Sequence, residues 1–526
     1  MNSLQKTQTN SVFLVEGVWR SHRIHPSHIH LVADDCINRV WVNNQEVSLE
    51  RIQENKCDIM RGSVIDLKGF LHPGENNIRA EIIDHGGNRA VYFKIPIADA
   101  ISWIFLLSIC ALALLIFSIL FGNISCAEWS VFALGATARI FYFPAATYPP
   151  KIYDIDGHID YIRTLSQTLV PPNAAQCWEC YQPSGYYYFA SPIYKIASQL
   201  TYDIYTPLQL LSLILFLGML YLFVRAASFW IEDRKTLLIV SALFVFWPVG
   251  IRDSARIGND LLFYFMSAMT MFFVSKWIKE KTSQALGAAL LSGALGWISK
   301  FNIIAFNAAG MLFLLLRKEP LKFIFKKPVF MLLLFLNFLI PAASLFQSSA
   351  EKGDLSWIHN ADRLENSLKM NVTASSFFCF DAKTFLTHPS SSAYDDSGGR
   401  QCFWNFMLKT SLFYNCALNS PAHLKLDLVL SWLLLILAFI LFAQFINFAV
   451  SRRFYIDDTY LWLSLCLPIA ALMFNLLKYP YACSQDFRYI LPILFPAIIL
   501  LSRVRLARWI MPLIVVCSIY GIFWAN

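Results

Sequence analysis

Two hydrophobic rhythms divide this chain. Residues 1–98 alternate apolar and polar positions in strand fashion, as in Arg39-Val40-Trp41-Val42 and Ile78-Arg79-Ala80-Glu81-Ile82-Ile83. Turn chemistry punctuates them at Asn43-Asn44, at His72-Pro73-Gly74-Glu75-Asn76-Asn77 and at Gly86-Gly87. The pattern predicts a small all-β sandwich over residues 1–98. From residue 101 the rhythm changes to long apolar runs, twelve in all: 101–122, 128–146, 205–225, 236–251, 260–277, 284–299, 302–317, 328–347, 425–449, 458–477, 488–502 and 509–524. A membrane span needs about 20 apolar residues, so several of these runs are short or tilted. The expectation is a polytopic α-helical membrane protein, with about 12 transmembrane helices across 101–526.

Composition agrees. The chain has 526 residues, 57% hydrophobic and 15% charged, against about 25% charged for a soluble domain. That excludes a soluble enzyme carrying one anchor. The net charge of +8 does not point to nucleic acid, because the basic residues fall in short loops between apolar runs. Arg225/Arg234/Lys235, Lys276/Lys279/Lys281, Arg317/Lys318/Lys322/Lys326/Lys327, Arg452/Arg453 and Arg503/Arg505/Arg508 occupy alternate loops, which places those loops in the cytoplasm. Residues 147–204, 252–259, 348–424 and 478–487 then face outward, and by parity so does the β domain. No cleavable signal peptide is visible in the first 30 residues. Of twelve cysteines, eight fall in outside regions, an even number that fits disulfides in an oxidising compartment. The expected location is a multi-pass plasma (inner) membrane, with the working face toward the periplasm or exterior.

Chemistry gathers in the first outside loop. Tyr153-Asp154-Ile155-Asp156-Gly157-His158-Ile159-Asp160-Tyr161-Ile162 stands just past a hydrophobic run. Carboxylates at a membrane edge are costly unless they work or are solvated. Taken as a helix, Ile155, Ile159, Ile162 and Ser166 form one stripe. Asp154, His158, Tyr161 and Leu165 run along its edge, and Asp156, Asp160 and Arg163 point away. Asp154 and His158 are thus candidates where a buried face meets solvent, and Asp156 is the rival acid. The plain alternatives are that Asp154 only N-caps the helix and that His158 only packs. Asp154-Ile155-Asp156 is a weak metal signal. Cys177-Trp178-Glu179-Cys180 reads as a disulfide before it reads as a zinc site. The loop 348–424 is long for a connection; it is expected to cover the site, or else to be a disulfide-tied surface loop.

Two resemblances follow from these motifs. Asp34-Asp35-Cys36-Ile37-Asn38-Arg39-Val40-Trp41-Val42-Asn43-Asn44-Gln45-Glu46-Val47 and Ile65-Asp66-Leu67-Lys68-Gly69-Phe70-Leu71-His72-Pro73-Gly74-Glu75-Asn76-Asn77-Ile78 resemble the middle of a galactose-binding-like jelly roll. That implies a sandwich fold and does not by itself imply sugar binding. The acid cluster, then Gln182-Pro183-Ser184-Gly185-Tyr186-Tyr187-Tyr188, Ala255-Arg256-Ile257-Gly258-Asn259-Asp260 and Ser299-Lys300-Phe301-Asn302, resemble in order the GT-C superfamily of integral membrane glycosyltransferases. The likeness is nearest the protein mannosyltransferases and the lipid A aminoarabinose transferase. Ser184 stands where many members have a second Pro, and the usual Asp-Glu pair is absent, which leaves Asp154 and Asp156 both open.

The resemblance implies transfer of a hexosyl or pentosyl group from a polyprenyl-phosphate donor to a glycan, lipid or protein acceptor. An Asp general base would drive one inverting displacement. Arg256, Lys300, Lys478 and Arg488, at outer ends of spans, would take the lipid phosphate, and Tyr481 and Tyr187 would meet the sugar. The bland readings are that Lys300 and Lys478 snorkel and that Arg256 and Arg488 pair with neighbouring acids. No cofactor is required by the sequence, and a divalent metal is left open. A transporter or lipid-linked sugar flippase is the alternative. Against it, the acids cluster in outside loops, and no pair of interrupted helices in matching halves stands out.

Overall fold

The computed structural model describes residues 11–21, 28–33, 36–53, 63–72, 74–84, 91–94, 100–145, 154–200, 204–352, 358, 360–361, 364, 366–389, 391–413, 421–450 and 456–524. Among the described residues the N-terminal part forms eight strands: β1 (Ser11–Ser21), β2 (His28–Ala33), β3 (Cys36–Val42), β4 (Gln45–Glu46), β5 (Ile52–Gln53), β6 (Ser63–Asp66), β7 (Gly74–Asp84) and β8 (Val91–Lys94). They make two four-stranded sheets, ordered β1-β7-β3-β4 and β5-β6-β2-β8, with antiparallel pairing throughout. Inward positions of both sheets share one apolar core, including Leu31, Val40, Ile65, Ala80 and Ile82. The alternation read from sequence is this inward/outward pleat. Asn43 and Asn44, both at positive φ (52° and 66°), turn β3 into β4. Asn tolerates the left-handed region better than other side chains.

The rest is helical. In chain order it begins with α1 (Ala100–Phe121), α2 (Cys126–Ala145), α3 (Ile155–Thr168), α4 (Gly185–Leu200), α5 (Tyr205–Ala227), α6 (Arg234–Val245), α7 (Pro248–Asp253), α8 (Asp260–Glu280), α9 (Ser283–Gly296) and α10 (Ile303–Leu316). It continues with α11 (Lys318–Lys326), α12 (Pro328–Lys352), α13 (Ala374–Phe378), α14 (Ala382–Thr387), α15 (Phe403–Phe413), α16 (Pro421–Val450), α17 (Ile456–Lys478), α18 (Leu494–Leu501) and α19 (Arg505–Trp524). Five helical segments among the described residues are long and apolar enough to cross a membrane, or six if the bent pair Pro320–Lys326 and Pro328–Ala343 is one span. That falls short of the twelve expected. An apolar run is not yet a span: α9 and α10 have 14 residues each, and at 1.5 Å per residue each reaches only ~21 Å of a core about 30 Å thick. The run 236–251 breaks at Pro248 into α6 and α7. The run 488–502 opens as a 3-10 turn over Phe487–Ile493 before α18, and is among the five as part of Ala482–Leu501.

The described part of the long loop is folded. It carries α13, α14 and α15, and a Cys379–Cys402 disulfide closes it. Met370 N donates to Pro480 O at 2.8 Å, and Gln485 Nε2 donates to Arg400 O at 2.7 Å. These bonds hold the loop against the segment between α17 and α18. A second disulfide joins Cys177 to Cys180. Cys483 is a free thiol, so pairing does not extend to every cysteine of the outside segments.

Candidate active site

Three separated motifs meet because small residues let backbones touch. Gly185 N donates to Ile298 O at 2.9 Å. A Cβ on Gly185 would stand 2.5 Å from that oxygen, so no larger residue fits without displacement. This contact brings the start of α4 onto Ser299-Lys300-Phe301-Asn302. Asn259 Nδ2 then reaches both Gln182 Oε1, at 3.2 Å, and Ser299 O, at 3.4 Å. Gly258 sits against the His158 ring, where a Cβ would lie 3.0 Å from Nε2. Gly157 lets the 177–180 segment lie on α3: a Cβ there would meet Trp178 Cβ at 2.9 Å.

The junction encloses a cavity of about 360 Å³. Asp154 and His158 line it from the start of α3, and Trp178, Glu179, Tyr181 and Gln182 from the disulfide segment. Arg256 and Asp260, then Lys300, Phe301 and Asn302, form a further wall. Tyr479, Cys483, Asp486, Arg488 and Tyr489 face it from the other end of the chain, and Asn360, Leu368 and Tyr394 cover it from the long loop.

The α3 faces fall as the periodicity implies. Ile155, His158, Tyr161, Ile162 and Leu165 are buried, whereas Asp156 and Arg163 are exposed. Arg163 bonds Asp160 at 2.5 Å. Asp154 does not cap its helix by side chain. It sits in the left-handed region (φ 61°, ψ 23°) and makes no cap hydrogen bond. Its carboxylate instead accepts from Trp178 Nε1 at 3.1 Å and lies 3.9 Å from Arg488. A left-handed non-glycine residue costs roughly 1–2 kcal/mol, and such strain concentrates at working sites.

Charges alternate across the cavity. Asp260 is fully buried between two cations: Lys300 Nζ at 2.5 Å and Arg256 at 3.3 Å. Arg488 stands 3.8 Å from Asp486 and hydrogen-bonds the Tyr489 hydroxyl at 2.9 Å. Lys300 and Arg488 both lie over the Tyr489 ring, 4.9 and 4.8 Å from its centroid, a cation–π arrangement. His158 Nδ1 meets the Tyr187 hydroxyl at 2.9 Å. Burial, with Arg256 and Lys300 adding to it, holds the imidazole well below its usual range, so His158 is neutral. Burial first, and the Asp154 carboxylate second, push Glu179 up to about 8.

Of the residues singled out from sequence, Asp154, His158, Arg256, Lys300 and Arg488 share this cavity. Tyr187 is buried behind His158. Asp156 is on the exposed side of α3, Lys478 is exposed beside the Tyr479 ring, and Tyr481 bridges to Lys369 of the long loop; none of these three lines the cavity. Sequence reasoning passed over Trp178, Glu179 and Tyr181. It weighed the flanking cysteines as a disulfide first and a zinc site second. Among the described residues no three His, Cys, Asp or Glu side chains gather as a metal site.

The cavity thus sets the Asp154 carboxylate among the cations Arg256, Lys300 and Arg488. Residues 181–345 match the family model of dolichyl-phosphate-mannose-protein mannosyltransferases. The matched stretch, less than half of the chain, holds Gln182, Arg256, Asp260 and Lys300. No curated protein matches the chain.

Proposed function

We propose that this chain transfers a sugar, mannose by preference, from a polyprenyl-phosphate donor to an acceptor hydroxyl on the extracytoplasmic side, by one inverting displacement. Asp154 is the general base: it takes the acceptor's proton as the oxygen attacks the anomeric carbon. The bond to the lipid phosphate breaks, and Arg488, with Lys300 and Arg256, meets the charge developing on that phosphate. The observation that carries this reading is the 3.9 Å approach of the Asp154 carboxylate to Arg488 in one cavity. It sets a base beside an anion site. Arg488 suits the second role, since its buried Nε makes no hydrogen bond among the described residues and is available to a phosphate oxygen. That Nε stands 3.8 Å from Asp486 Oδ2, an ion-pair approach beyond hydrogen-bond range that orients the guanidinium. His158, neutral and bonded to Tyr187, supports the α3 wall.

The test is transfer of radiolabel from polyprenyl-phosphate mannose in membranes carrying the wild type, Asp154→Asn or Asp156→Asn. Transfer lost in Asp154→Asn and kept in Asp156→Asn fits the proposal. The opposite pattern moves the base to Asp156, and no transfer by the wild type rejects the reaction.

A further inference from the structure

We propose that Glu179 is a donor-binding residue: a carboxylic acid that faces the phosphate sugar in the cavity and donates a hydrogen bond to it. This rests on the glycosyl-transfer reading above and goes beyond it, because the acids weighed from sequence were Asp154 and Asp156.

Three observations carry it. Glu179 lines the cavity at 4% exposure, so its carboxyl has little solvent to ionise into. Its place is built. The Cys177–Cys180 disulfide brackets it, and Asn360 Nδ2 holds the preceding carbonyl, Trp178 O, at 3.1 Å. Gly157 leaves the room its Cγ occupies, 3.0 Å from where a Cβ would be. Gln182 gives its oxygen to Asn259 and hydrogen-bonds the Glu179 side chain.

The third observation is charge. The cations Arg256, Lys300 and Arg488 share the cavity with the acids Asp154, Asp260, Asp486 and Glu179. With every acid ionised the lining would be net negative, and a phosphodiester would be repelled. A proton on Glu179 brings the lining to balance. The titratable and charged groups that act on Glu179 are Asp154, which favours the proton, and Lys300 and Arg488, which oppose it. Tyr181 and Tyr187 also face it. Burial and Asp154 prevail, and the carboxyl ionises only at about 8. A bound phosphate adds a further negative charge and strengthens the protonated form.

The experiment is binding of tritiated polyprenyl-phosphate mannose to the full-length protein in lipid nanodiscs between pH 6.5 and 9.5. For the wild type, affinity is expected to fall about tenfold one unit above the Glu179 midpoint. Glu179→Gln, which cannot ionise, is expected to bind about threefold more weakly than wild type at pH 7, for one hydrogen bond remade less well, and to show no alkaline fall. Asp154→Asn removes the neighbouring negative charge, so its alkaline fall begins at lower pH. An alkaline fall that persists unchanged in Glu179→Gln assigns it to another group, such as Lys300, and overturns the inference while leaving glycosyl transfer standing. Absence of binding by the wild type at pH 7 overturns both. Loss of binding at every pH in Glu179→Gln, with an unchanged melting temperature, also overturns it, because the site would then need the carboxylate.

Discussion

The Trp178 indole N–H donates to Asp154 Oδ1 at 3.1 Å, from 24 residues further along the chain. The 177–180 disulfide segment therefore orients the acid proposed as the base. Trp178→Phe keeps the ring's bulk and removes the donor. It is expected to lower kcat about tenfold, the cost of one hydrogen bond to a charged group at the low end of its range. KM for the donor should change little, since Arg488 remains in place. Steady-state kinetics with polyprenyl-phosphate mannose separate the two. A rise in KM alone would make Trp178 a wall of the donor site and remove it from base positioning.

The backbone at Asp154 sets which replacements are clean. Its φ of 61° suits Asn nearly as well as Asp and suits Ala poorly. Asp154→Asn should melt within a degree or two of wild type, whereas Asp154→Ala is expected to lose about 1 kcal/mol through backbone strain. Thermal melts of the two proteins in the same detergent check this. Equal melting temperatures would mean that the left-handed conformation is not retained.

Much of this site was legible because sidedness and helix faces follow from hydrophobic pattern. Lys and Arg in alternate loops grouped Asp154, Arg256, Lys300 and Arg488 at one set of helix ends, and the 3.6-residue period separated buried His158 from exposed Asp156. Glu179 was hidden for a physical reason. Its burial comes from a disulfide, a glycine on another helix and an asparagine some 180 residues away, and no local periodicity records that. Lys478 and Tyr481 stand outside the cavity lining: nearness in sequence to Arg488 does not fix direction, and the extended backbone of Tyr481 bridges to Lys369. Among the described residues five or six of the twelve apolar runs are long and apolar enough to span, because hydropathy counts residues while a span also needs length and an unbroken axis, which Pro248 interrupts.

Asp260 is the electrostatic keystone of the cavity wall. It is 1% exposed and holds Lys300 and Arg256 together. Asp260→Ala leaves two cations buried without their shared partner, expected to cost about 3–5 kcal/mol. Adding Lys300→Met to it should recover part of that loss, since one of the stranded charges goes with it. Denaturation of the single and double variants in matched detergent gives the comparison. A double variant no more stable than Asp260→Ala would place the cost in packing and not in charge.

Gly185 tests whether the site depends on close backbone contact between α4 and the end of α9. An added Cβ would lie 2.5 Å from Ile298 O and 2.8 Å from Ile298 Cγ1, inside any allowed contact. Gly185→Ala must therefore push the two segments apart, weaken the 2.9 Å bond from Gly185 N and carry Lys300 away from the Gln182 side of the cavity. Overpacking of this kind costs about 1–3 kcal/mol. Ala favours a helix start over Gly by up to about 1 kcal/mol, so the net loss of stability should be modest and the loss of activity larger. Transfer should drop by more than tenfold, because a shift on the order of 1 Å in the positioning groups misaligns the donor. Activity within twofold of wild type would show that α4 and α9 can separate without moving Lys300.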